Sequence, residues 1–286
     1  MSVDVDPVDL HLVGYGFPLL PPDPLVYTAA LPRLLDAFAA SGVHATFFVV
    51  ARDATAAPGM LARIVAGGHE VASHSLTHPL ALASMPEAAM RREFRDSRAV
   101  LEDASGASVV GFRSPNFDMD ERALGLLAEA GFAYDASAYP TPMLIPARLL
   151  LALKSRDASS VLKLRMWPFT WRREAHTRSA GTRTLREFPV SVTPGLRWPV
   201  YHTLRYAMSD AGFERVLDGF VKRGEDLSYP LHGVDALGLA EDHVDSRLAP
   251  HPGLDRPLAA KLALLDRTLR AIAARFDSRP FRDRLS

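Results

Sequence analysis

The 286-residue chain carries 33 lysine plus arginine and 33 aspartate plus glutamate residues, so its formal charge is zero and no global basic field is present to hold nucleic acid. The absence of cysteine excludes disulfides, thiolate metal sites and a cysteine nucleophile. No stretch approaches the roughly 20 apolar residues of a membrane-spanning helix, and the opening MSVDVDPVDL has three aspartates where a secretory leader has a basic start and an apolar run. A cytoplasmic location is therefore expected, with association at a membrane surface left open.

The chain begins in a strand, where Val3 and Val5 alternate with Asp4 and Asp6 before Pro7. A long loop rich in proline and glycine is expected to about Asp23. Leu31, Leu34, Leu35 and Phe38 at helical spacing predict a helix over about 27–41 that stops at Gly42. HATFFVVA reads as a buried strand, 58–66 as a helix, and HEVASH as a strand running into HSLTHP. A charged amphipathic helix follows from Pro86 to Asp103, then strand VVGF, helix 120–130 and strand FAYD. From 140 to 186 this rhythm fails over a length unusual for a connection inside a compact domain, which predicts an insertion. Strand EFPVSV, a helix over about 209–222, strand LSYPLH, a loop of aspartates and histidines, and a helix over about 257–275 complete the chain.

Strands alternating with helices predict an α/β fold, a distorted (β/α) barrel of about seven strands with a helical insertion, forming one domain over 1–286. In such barrels the chemistry sits at the C-terminal strand ends. The residues with chemical character fall there.

His74 and His78, four apart, would lie on one side of a helical turn and share a metal. Two ordinary capping histidines are the bland alternative. A hydrolytic zinc-type site needs three protein ligands and an open position, which two histidines and a carboxylate supply. Asp4 and Asp6 project from one face of the first strand, giving one ligand and one free carboxylate, unless the pair is only a solvated strand terminus.

The order SVDVDP, HATFFV, GGHEVASHSLTHP, GFRSPNF, AYDASAYP and SYPLHG resembles the polysaccharide deacetylase (NodB-homology, carbohydrate esterase family four) superfamily. The likeness is good over about 1–135 and looser over 187–235, and the Asp-x-Asp opening is similar to the imide-hydrolase and lipid-linked sugar deformylase branches. It implies a NodB-type catalytic domain in which Asp6, His74 and His78 hold one divalent transition metal such as Zn2+, with Asp4 as general base and His232 as general acid. Arg113 would orient Asp4, Asp135 would tune His232, and the backbone N–H of Asn116 would serve as oxyanion donor. Ser114 and Asn116 stand where many members have proline and tyrosine, and the fourth motif lacks its tryptophan; these departures count against a long-polymer substrate.

The implied activity is removal of an acetyl or formyl group from an N-acylated amino sugar, lipid-linked sugars included. A cyclic imide or ureide amidohydrolase and a catalytically inactive carbohydrate-binding barrel are the alternatives. A metal-free glycosidase with two carboxylates would leave the histidine pair without a task. His69 reads as structural. His243, His251, Asp235, Asp242 and Asp245 read as a solvated rim, with a substrate or second-metal role as the alternative. Between 143 and 183 a leucine-rich run lies beside Trp167, Phe169 and Trp171, and basic residues outnumber acidic ones. That pattern fits a lid at a lipid headgroup surface, a cover for the barrel or a contact in a homo-oligomer.

Overall fold

A computed structural model describes residues 1–57, 59–154, 163 and 169–285. The strands are β1 (Ser2–Val5), β2 (Thr46–Val49), β3 (Glu70–Ser73), β4 (Gly111–Phe112), β5 (Tyr134–Asp135), β6 (His176–Ala180), β7 (Arg183–Glu187) and β8 (Pro230–His232). They form one curled sheet in the order β6-β7-β5-β4-β3-β2-β1-β8. Every pairing is parallel except β6 with β7. The α/β class expected from the alternating pattern is observed, with eight strands curled into a half-barrel where a distorted barrel of about seven was expected. No strand ladder joins β7 to β8; across that seam Ser191 N–H donates to Ser228 O and Ser228 N–H to Ser191 Oγ.

Helices α1 (Val8–Gly14), α2 (Leu31–Ser41), α3 (Met60–Ala66), α4 (Glu87–Ser105), α5 (Glu121–Glu129), α6 (Leu144–Lys154), α7 (His202–Arg205), α8 (Asp210–Arg223) and α9 (Leu258–Ala273) accompany the sheet, and a π-helical turn (Val26–Ala30) leads into α2. Leu31, Leu34 and Phe38 form the buried stripe of α2 and meet Phe47 of β2, with Phe38 and Phe47 edge to face. Burial of each such side chain contributes about 1.5–3 kcal/mol. His69 is part of this packing: its ring lies against Phe38 and Phe47, and its Nδ1 accepts the Ala45 N–H at 3.2 Å. The structural reading of that residue holds. Gly111 has a steric reason, because a Cβ there would lie 1.8 Å from Tyr134 Cζ on the adjacent strand.

Three expectations need correction. The segment after Pro7 is not all loop, since 8–14 is helical. Its few apolar residues, Val8, Leu10 and Leu12, are buried, but a seven-residue run is too short to display periodicity. The strand at the end of the insertion region lies at Arg183–Glu187 rather than in EFPVSV: with Leu185 as its one apolar residue it shows no strand pattern in sequence, and it is set by its antiparallel pairing with β6. The 140–186 region holds α6 and β6 and the start of β7. Among the described residues, no helix is long and apolar enough to cross a membrane.

Candidate metal centre and catalytic cleft

The site begins with β1. Asp4 lies within the strand and Asp6 just past its end. Both line a cavity of about 290 Å³ together with His74, His78, Asn116, Arg148, His232 and His251. In β1's two ladders Asp4 is level with Phe48 on one side and His232 on the other. Neighbouring strands are about 4.8 Å apart, so the expected base and acid start from adjacent backbone positions.

His74 and His78 follow β3. They reach Asp6 through an irregular loop rather than a helical turn, because Ser75 and His78 both have left-handed backbone (φ 70° and 57°). Such conformations cost non-glycine residues of order 1–3 kcal/mol each and persist where surrounding bonds dictate them. Here they are dictated. Ser75 Oγ accepts the His78 N–H at 3.0 Å. Glu93, buried on α4, accepts the N–H groups of Leu76 and Thr77 at 2.9 Å each and the Thr77 hydroxyl at 2.7 Å. Glu93 escapes sequence reasoning, since an acidic residue in a charged amphipathic helix looks like part of its solvated face.

The resulting geometry brings His74 Nε2 to 3.2 Å and His78 Nε2 to 3.5 Å from Asp6 Oδ1. Among the described residues, Asp6, His74 and His78 are the one set of three such side chains whose candidate ligand atoms all lie within 4.8 Å. The residues fit a divalent cation on two observations. Asp6 Oδ1 is buried with no hydrogen-bond partner among the described residues. His74 Nδ1 lies 2.8 Å from the Arg113 carbonyl, to which it must donate, leaving Nε2 as the free lone pair. Burial opposes ionisation of Asp6, but the adjacent His74 and His78 hold it well below the ordinary carboxylate range. Burial pushes His78 down to about 4, so its imidazole is neutral and able to ligate.

Arg113, wholly buried after β4, donates from Nη1 to Asp4 Oδ1 at 2.6 Å and to Ser2 Oγ at 2.9 Å, and from Nε to Ala136 O at 3.0 Å. Its guanidinium carbon sits 4.2 Å from the centroid of Phe48. The structure therefore places Arg113 where it fixes Asp4. Asn116 borders the cavity in left-handed backbone (φ 54°), with its Nδ2 donating to Leu80 O and its carbonyl accepting from Arg148.

Asp135 does not meet His232. It is level with Glu187 across β5 and β7, and its Oδ1 accepts the Ser137 hydroxyl at 2.6 Å. Burial pushes Asp135 up to about 6. Glu187 is also raised by burial, and further by Asp135. The carboxylate at the His232 segment is Asp235, whose Oδ2 accepts the backbone N–H of His232 at 2.9 Å and whose Oδ1 accepts the Tyr206 hydroxyl. Burial opposes charge on Asp235, yet His202 and His232 hold it below the ordinary value. Gly233 makes this turn feasible: a Cβ there would lie 2.5 Å from Val26 Cγ1.

The expected solvated rim is only partly one. Asp235 is buried, Asp242 forms a bidentate pair with Arg33, and His251 lines the cavity. Asp245 is paired with Arg247 at the surface. The cleft also contains residues the sequence did not single out: His11 and Tyr15 from α1, Tyr139 and Tyr201, and Phe117, whose ring is 4.7 Å from Tyr139.

Residues 22–134 match the polysaccharide deacetylase family model. A chitooligosaccharide deacetylase from Sinorhizobium fredii is 38% identical over 102 residues, 36% of this chain and 47% of that protein. A peptidoglycan-N-acetylglucosamine deacetylase from Bacillus cereus is 29% identical over 101 residues, 35% of this chain and 36% of that protein. The matches thus span less than half the length of these curated relatives. Solved structures of polysaccharide deacetylase type from Mycobacterium smegmatis (20% identity, TM-score 0.61, covering 100% of this chain and 87% of that one) and Pseudomonas aeruginosa PAO1 (19%, 0.57, 99% and 87%) share the fold. Residues 22–134 are thus similar to the polysaccharide deacetylase family, the same family that the ordered motifs resemble.

Proposed function

We propose that the chain is a metal-dependent hydrolase that removes an N-linked acyl group from an amino sugar. The observation that carries this reading is the meeting of Asp6, His74, His78, Asp4 and His232 in one cleft. Asp6, His74 and His78 would hold the cation, with zinc matching the two-imidazole, one-carboxylate donor set. When bound there, it supplies Lewis-acid polarisation and lowers the pKa of water toward about 7. Asp4, held through Oδ1 by Arg113, takes the proton of the attacking water. His232 returns a proton to the departing nitrogen, without which an amine is a very poor leaving group. The N–H of Asn116 is assigned to the developing oxyanion. Asp135, expected to tune His232, is left without that task by its pairing with Glu187, and Asp235 is the better candidate. The test is release of free amine from N-acetylated amino sugars by the zinc-loaded protein.

A second reading extends the first to lipid-linked sugars, acetylated or formylated. Leu144, Ala147 and Arg148 of α6 line the cavity while Leu149, Leu150 and Leu153 of the same helix are exposed, as are Trp171 and Trp198. An apolar rim beside the mouth supports contact with a headgroup region. Phe169 does not belong to it, being packed on the core beneath Arg178, and Trp167 lies outside the described residues. Cosedimentation with anionic vesicles at low salt tests this, comparing wild type with Leu149→Ala, Leu153→Ala and Trp171→Ala combined. Equal binding, or none by the wild type, would leave a sugar free of lipid as the substrate.

A further inference from the structure

We propose that His11, backed by His251 and Tyr15, is a recognition residue that binds an uncharged hydroxyl- or amide-bearing part of the substrate in the cleft that also holds the candidate metal ligands. The inference rests on the hydrolase reading above and assigns it a second, metal-independent contact.

The geometry comes from α1. Immediately after Asp6 the chain turns at Pro7 into this short helix, so one backbone segment sets both the metal ligand and His11. Asp9 pins the helix to the barrel: Arg52 donates to Asp9 Oδ2 at 2.5 Å and to Asp53 Oδ2 at 2.9 Å, and Asp9 is buried. A side chain carried on so short a helix would otherwise be poorly positioned. His11 and His251 stand edge to face at 5.0 Å, and His11 and His232 at 6.1 Å, with the Tyr15 hydroxyl 3.4 Å from His251 Nδ1. All four side chains line the cavity that holds Asp4, Asp6, His74 and His78.

Two observations separate this wall from a structural cluster. The Nε2 of His11 is buried and has no hydrogen-bond partner among the described residues, a state that costs free energy unless a ligand completes it. His11 is also not one of the three side chains whose ligand atoms converge, which are Asp6, His74 and His78. The chemistry of the wall then defines what it takes. Burial, reinforced by His11 and His232, pushes His251 down to about 3, and Asp6, Asp9 and Asp235 are the charged groups around His11. Uncharged imidazoles and a phenol each offer a donor and an acceptor, while the neighbouring carboxylates disfavour an anion. Paired hydroxyls of a sugar ring, or an amide, match that pattern.

The test uses the full chain loaded with zinc and triacetylchitotriose as the probe, comparing wild type, His11→Phe and His11→Gln by calorimetric titration and zinc analysis. One lost hydrogen bond predicts a Kd about threefold to tenfold weaker in His11→Phe. His11→Gln, which keeps a donor and an acceptor, should restore most of that, with zinc per chain the same in all three. Equal affinity in His11→Phe, loss of zinc from it, or no binding by the wild type would each overturn the proposal. Should His11→Phe fail to fold, His251→Phe carries the same expectation. Amine release is followed separately: binding that depends on His11 without any release would defeat the hydrolase reading alone, whereas release with the same KM in wild type and variant would defeat the recognition role alone.

Discussion

Replacing Arg113 with methionine tests the framework that holds the cleft together. The guanidinium is wholly buried, and so is nearly all of the Asp4 side chain, 2.6 Å away. Removing one member of such a pair leaves the other charge uncompensated in a medium that solvates it poorly, at a cost of about 3–5 kcal/mol. Methionine fills much of the volume over Phe48, so the loss should reflect charge more than a cavity. In a chain of this size about 1 kcal/mol shifts Tm by roughly 2–4 °C, which places the variant about 6–20 °C below wild type in a thermal melt. Asp4→Asn removes the stranded charge. The double variant should therefore be more stable than the sum of the single changes implies, by a coupling toward the upper end of the roughly 0.5–3 kcal/mol found for contacting pairs. A loss below about 1 kcal/mol, or strict additivity, would refute the view that Arg113 holds Asp4 in place.

Other consequences can be checked alongside. Glu93→Gln removes one acceptor oxygen from the loop that carries His78 and should weaken zinc binding about 10- to 100-fold, the range for groups that support metal ligands; an unchanged zinc affinity in competition with a chelator would mean the loop holds its own shape. Asp4→Asn and His232→Ala should each retain zinc and lose about a hundredfold or more in turnover, and a wild-type rate in either would remove that residue from the mechanism. Asp135, raised to about 6, and Glu187, raised further above its ordinary value, keep protons longer in the native state than in the unfolded chain. Stability from this pair is thus lost as pH rises from about 4 through 6 and beyond. Asp135→Asn should gain in Tm relative to wild type between pH 4 and pH 7, and a difference that does not vary with pH would contradict the assignment.

The sequence made some of this legible for identifiable reasons. Strand β2 (TFFV) is mostly apolar because both of its faces are covered, and α2, α4, α5, α8 and α9 show the 3.6-residue stripe of helices packed on one side. The candidate metal ligands came from a weaker signal, since two histidines four apart are common by chance and gained weight only from Asp-x-Asp and the ordered motifs around them. Helix α1 was not, since Pro7 and Gly14 bracket only seven residues and its fold depends on the tertiary pair of Asp9 with Arg52. The partner of His232 was misread for a related reason: Asp135 stands in the expected motif, but its fate is decided by Glu187 on a strand that sequence periodicity placed several residues too late. His11, His251 and Asp235 look like surface residues in one dimension and become cleft or buried residues only when the barrel brings the two ends of the chain together.

The central claim is that Asp6, His74 and His78 hold the metal on which hydrolysis depends. Its most direct test is metal analysis coupled to amine release over free, polymeric and lipid-linked N-acetyl and N-formyl amino sugars, with wild type beside His74→Ala and His78→Ala. The account predicts about one zinc per chain and amine release from at least one of these sugars in the wild type, with metal and activity lost together in both variants. Full metal occupancy in both variants, or undiminished amine release from either one after its metal is gone, would contradict it.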